Sequence, residues 1–202
     1  MIDCDSPYHQ GEGCSFYKAM KIIGKKIINY QVIDSTNDEA KRLIKKGVSE
    51  GAVVLASEQT AGRGKPGAVW FSPPGQGIYL SVIVKPYRNL DDIAALTLLG
   101  ARAVVNLLKT VAGVEAEIKP PNDILLNGKK ICGILVEKVG SGHLIIGIGL
   151  NINQQPSDWP TNLGLTATSL AIETGQGYEL ETITRLLITE LDGEYLAYLA
   201  NS

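Results

Sequence analysis

The chain has 202 residues, 45% of them hydrophobic and 20% charged, enough for one sizeable core or two small ones. Its 19 Lys and Arg against 21 Asp and Glu leave a formal charge of −2, which argues against a duplex-binding face and predicts no nucleic-acid partner. Cys4, Cys14 and Cys132 are an odd, scattered set, and with His9 and His143 they offer no zinc spacing, so disulfide scaffolds and structural zinc are excluded. Residues 1–20 contain Asp3, Asp5, His9, Glu12 and Lys18 and lack the apolar core of a signal peptide, and no later run reaches membrane-spanning length; a soluble, cytoplasmic protein with no membrane partner is expected.

In chain order, 27–33 reads as a strand, and Asp34-Ser35-Thr36-Asn37 then offers helix-capping side chains, with Thr36 and Glu39 in capping-box spacing. Ala40, Leu43 and Ile44 form the stripe of a short helix that Gly47 can end, and 52–57 is a buried strand. The segment Gly62-Arg63-Gly64-Lys65-Pro66-Gly67-Ala68-Val69-Trp70 follows. Its glycines would turn N–H groups toward an anion while Arg63 and Lys65 add charge-assisted donors. Pro73 and Pro74 prevent a helix there, and 78–84 is again a strand.

Residues 91–111 repeat apolar positions near a helical period and stop at Gly113. Asn127-Gly128 between two apolar runs predicts a type I′ hairpin of 124–126 with 129–139, and 144–152 completes a meander of three strands. Pro156, Pro160, Asn162 and Gly164 mark a loop, and 167–174 and 182–199 read as closing helices. The resulting class is α+β, a mixed, largely antiparallel sheet backed by helices.

Gly62, Gly64 and Gly67 match G-x-G-x-x-G, but the helix that a dinucleotide site needs is blocked, and Pro66 stands where a Walker loop needs Ser or Thr. Taken alone, the loop is a glycine-rich turn with solvated cations. Ser35-Thr36-Asn37, Gln59 with the loop to Trp70, Lys119-Pro120-Pro121-Asn122-Asp123, KICGILVE from Lys130 and GIGLN ending at Asn151 stand in one order. In that order the chain resembles the catalytic domain of biotin protein ligases, and the Ala-Thr-Ser-Leu segment at 167–170 agrees. The resemblance covers 27–199. It implies a catalytic domain at 27–202 after an amino-terminal extension at 1–26, with the class II aminoacyl-tRNA synthetase/biotin synthetase fold.

The resemblance further implies that biotin and ATP, with Mg²⁺, give biotinyl-5′-AMP, and that biotin passes to a lysine of a biotin carboxyl carrier protein. Arg63, Lys65, Lys119 and Lys130 would be catalytic. Ser35, Thr36, Asn37, Gln59, Gly64 and Gly133, with Arg63, Lys65 and Lys130, would bind biotin. Gly62, Trp70, Asn122 and Asn151 would contact ATP, Trp70 near the adenine, and Asp123 with Asn122 has the hard oxygens that Mg²⁺ prefers.

The chain departs from the family pattern in Lys65, where arginine is usual, in Pro120, where tryptophan is usual, and in ending at Ser202, before the small β-barrel that many members carry. The 26 residues before the first matched strand are too few for an operator-binding winged helix. Lipoyl or octanoyl transferases and ligases of the same fold, and a non-catalytic biotin-binding domain, are the rival readings; homodimerisation is left open.

Overall fold

The computed structural model describes residues 22–65, 67–86, 92–140, 142–161 and 163–201. The amino-terminal extension up to residue 21, with Cys4, His9 and Cys14, lies outside the described residues.

Seven strands form one sheet: β1 (Lys26–Ile33), β2 (Ala52–Gln59), β3 (Gly77–Val84), β4 (Glu117–Lys119), β5 (Asp123–Leu126), β6 (Lys129–Val139) and β7 (His143–Asn151), in the order β1-β2-β3-β7-β6-β5-β4. Only β1 and β2 run parallel. Their connection holds helix α1 (Thr36–Lys45), which gives the chain length for a crossover. The expected mixed, largely antiparallel sheet is therefore present. The short edge strand β4 is an addition to the sequence reading, because three residues carry no periodicity.

Helices α2 (Ile93–Ala112), α3 (Leu170–Thr174) and α4 (Leu180–Ala200) complete the described elements with a 3-10 turn at Pro156–Asp158. The carboxylate of Asp92 caps α2, and Gly113 ends it in the left-handed region at φ 66°. This helix is long and apolar enough to cross a membrane by length and composition, contrary to the expectation that no run approaches that span. Leu96, Leu99, Val104, Leu107 and Leu108 are nevertheless buried in the core that α2 and α4 share with the sheet. The helix predicted at 167–174 shortens to α3, since Ala167 bridges to Lys130 and Ser169 is the N-cap.

The two faces of the sheet differ. Leu80, Val82, Cys132, Ile134, Val136, Ile146 and Ile148 belong to the large core beneath α2 and α4. On the alternate side, Val54, Ile83 and Ile145 pack under Ala40 and Leu43 of α1. Since α1 is short, it covers only part of that face. Burial pushes the Cys132 thiol well up from its ordinary range, which fits an inert core residue.

The β5–β6 hairpin has Asn127 at φ 51° and Gly128 at φ 77°, as a type I′ turn requires. Gly128→Val is expected to lower stability by roughly 1 to 2 kcal/mol, the cost of forcing a branched side chain into the left-handed region. Nothing stands within 4 Å of a Cβ at Gly128, so the loss is conformational, and an unchanged thermal midpoint would contradict it.

Candidate active site

Sheet register aligns small residues on the face that α1 leaves open. Tyr79, Gly149, Gly133 and Asp123 form one cross-strand row, Ser81, Gly147 and Leu135 the next, and Ile83, Ile145 and Glu137 a third. Each missing side chain is filled by another group. A Cβ on Gly149 would stand 2.3 Å from Trp70 Cε2, one on Gly133 3.0 Å from Trp70 Cζ3, and one on Gly147 2.2 Å from Asn37 Oδ1. Glycine inside a strand marks such close approach.

Over this floor lies a cavity of ≈ 130 Å³. Ser35, Thr36, Asn37, Gln59, Arg63, Gly64, Lys65, Trp70, Asn122, Asp123, Lys130 and Gly133 all line it, so most of the predicted site residues do converge. Gly147, Gly149 and Leu135 line it too; the sequence places them inside the GIGLN and KICGILVE motifs but gives them no role of their own.

Three predicted residues stand apart from the cavity lining. Gly62 is buried behind the loop, where a Cβ would meet Trp70 O at 2.5 Å and Ser72 Oγ at 2.8 Å. Lys119 is exposed on edge strand β4. Asn151 is 2% exposed, donates to Thr168 O at 3.0 Å and accepts from Gln154, so its amide is used in holding the chain after β7.

The glycine loop is not an open nest. Gly64 N donates to Ala68 O at 2.9 Å, Trp70 N to Gly62 O at 2.9 Å, and Arg63 bridges Val69, which makes a small hairpin that lays the indole on Gly133 and Gly149. Trp70 thus occupies the approach to Gly133 that biotin was expected to use. The Lys130 ammonium lies 5.4 Å from the centre of the Trp70 ring and 2.6 Å from Asp123 Oδ1.

The capping box is absent as well. Ser35 is the N-cap, with no side-chain cap bond, and Glu39 binds Tyr30 and Arg42. Thr36 turns inward instead, its N and Oγ1 donating to Gln59 Oε1 at 2.8 and 3.1 Å, while Gln59 Nε2 donates to Ser72. Ser81 Oγ donates to Asn37 Oδ1 at 2.5 Å. The Ser-Thr-Asn motif therefore builds the cavity wall.

Arg63 does not point its terminal nitrogens at the cavity. They donate to Asp38 at 2.8 Å and to Glu137 at 2.7 and 3.1 Å. Glu137 also accepts from Lys41 at 2.9 Å and Asn37 at 2.8 Å. Burial pushes the Glu137 carboxyl upward, but hydrogen bonds from Lys41, Arg63 and Asn37 outweigh it and hold the group below its ordinary value.

Three polar atoms of the lining residues are buried without a partner among the described residues: Arg63 Nε, Trp70 Nε1 and Asn122 Oδ1. Asn122 itself is fixed, its Nδ2 donating to Ile134 O at 2.8 Å. Unpaired polar atoms on three residues that line one cavity suit a site that takes a polar ligand, since buried polar groups are otherwise paired. Among the described residues no cluster of three His, Cys, Asp or Glu could hold a metal ion.

Residues 30–153 match the biotin/lipoate A/B protein ligase family. The bifunctional ligase/repressor BirA of Bacillus subtilis is 38% identical over 185 residues, covering 90% of this chain and 57% of that protein. The biotin--[acetyl-CoA-carboxylase] ligase of Paracoccus denitrificans is 38% identical over 161 residues, covering 76% of this chain and 66% of its own. The chain thus spans little more than half of the first of these relatives. Among solved structures, the Aquifex aeolicus biotin protein ligase in complex with biotin and ATP superposes with a TM-score of 0.79 at 29% identity, over 88% of this chain and 73% of that one. The Leishmania major biotin protein ligase in complex with biotinyl-5-AMP gives 0.66 at 30% identity, over 83% and 73%.

Proposed function

Since this chain belongs to the biotin/lipoate A/B protein ligase family, we propose that it is a biotin–protein ligase, which forms biotinyl-5′-AMP from biotin and ATP and passes biotin to a lysine of a carboxylase carrier domain. The observation that carries this reading is the convergence of five sequence motifs on one cavity whose lining residues carry unpaired buried polar atoms. Support comes from solved neighbours that hold biotin with ATP, or biotinyl-5-AMP.

In the first step a biotin carboxylate oxygen attacks the α-phosphorus, the bond to the bridging oxygen breaks and pyrophosphate leaves. No protein nucleophile is needed; the barrier is the meeting and alignment of two anions. Lys65, exposed at the cavity with no side-chain partner among the described residues, and Lys130 supply positive charge there. Arg63 contributes its remaining Nε–H. The Trp70 indole, its Nε1 turned against Gly149, offers an apolar platform to biotin, in place of the adenine contact expected from the sequence. Thr36, Asn37 and Gln59 bound the polar end of the cavity. In the second step the carrier amine attacks the acyl carbon, AMP departs and the amine loses a proton.

Mg²⁺ fits as an ion brought by the nucleotide, because one carboxylate and one amide oxygen suffice when phosphates and water complete the shell. Asp123 and the unpartnered Asn122 Oδ1 would hold it, where it would offset phosphate charge.

The test is incubation of the protein with biotin, ATP, Mg²⁺ and a carrier domain. Pyrophosphate release and a biotinylated carrier lysine are expected. Transfer only when lipoate or octanoate replaces biotin would reassign the substrate, and binding without pyrophosphate release would make this a sensor.

A further inference from the structure

Arg63, at the entrance of the glycine hairpin, is gripped from two elements at once. Asp38 in the first turn of α1 takes one terminal nitrogen, and Glu137 in the third cross-strand row takes both. Lys41 bridges the same two carboxylates at 3.1 and 2.9 Å, so two acids and two cations form a closed, locally neutral network. Its side chains are only 21 to 36% exposed. Networks of this kind escape the near-zero worth of isolated surface pairs. Glu137 also holds Asn37, whose carbonyl oxygen fills the space above Gly147.

We propose that Glu137 is a positioning residue: with Asp38 it clamps Arg63 and thereby holds the 62–70 hairpin, and the Trp70 indole at its end, across the cavity. Glu137 is absent from the cavity lining and acts through Arg63, whose charge the clamp neutralises. Among the described residues that line the cavity, the cations left for the anionic substrates are Lys65 and Lys130. The consequence for catalysis rests on the ligase reading; the clamp itself does not.

Two readouts test it on the full chain. Within the hairpin, trypsin can cut only after Arg63, because Lys65 precedes Pro66. Cleavage requires the guanidinium to leave its carboxylates and enter the protease pocket. Glu137→Gln is expected to speed nicking into fragments 1–63 and 64–202 about tenfold, with cleavage elsewhere unchanged. In pyrophosphate release it is expected to raise KM for biotin about tenfold with little change in kcat, as loss of uniform binding does. In an Arg63→Ala background Glu137→Gln should add nothing to KM, since one interaction is removed once. Nicking at the wild-type rate, cleavage spread over many sites, or additive KM effects would overturn the proposal. Faster nicking at Arg63 in a protein that releases no pyrophosphate would uphold the clamp while the ligase reading fails.

Discussion

Gly149→Ala is expected to cut biotin affinity about 10- to 100-fold while leaving the fold intact. The added methyl would lie 2.3 to 2.4 Å from the Trp70 indole, closer than any packed contact allows, so the ring must leave. Gly149 is paired on both sides, to Tyr79 of β3 and Gly133 of β6, and the sheet cannot shift to make room. Overpacking typically costs about 1 to 3 kcal/mol. Here the indole at one end of a hairpin can yield where the sheet cannot, so the cost appears as a displaced Trp70 and a lost platform. Titration calorimetry with biotin checks the affinity, and a red shift of tryptophan emission checks the displacement. Gly177→Ala, where a Cβ meets nothing within 4 Å, is the control. Wild-type affinity in Gly149→Ala would show that the indole is not part of the binding surface.

This floor also marks where sequence reading stops. The hairpin at Asn127-Gly128 and the helix ending at Gly113 were legible because a local conformational demand selects the residue type. The site residues were legible as ordered motifs, and most meet at the cavity because the motifs sit at strand ends, in α1 and in the hairpin. Their individual jobs were not. Whether Arg63 faces a phosphate or a carboxylate depends on Asp38 and Glu137, 25 and 74 residues away, and on a strand register that no local window contains. Asn151 stands outside the cavity lining for the same reason: its partner Thr168 comes from the loop before α3. The capping box at Thr36 fails because a tertiary partner, Gln59, outcompetes the helix end for the hydroxyl.

Lys130→Ala is expected to lower adenylate formation by about 10² to 10³, the usual effect of removing one preorganised donor at a site of developing charge. The Lys130 ammonium is held from two sides, 2.6 Å from Asp123 and 5.4 Å from the Trp70 ring centre, so it meets the substrates already oriented. The fall should appear in kcat, from the missing cation, with KM for ATP little changed, because Asp123 keeps its place beside the nucleotide's Mg²⁺. A single variant within about threefold of wild type in pyrophosphate release would remove Lys130 from the chemistry and leave Lys65 as the cation to examine.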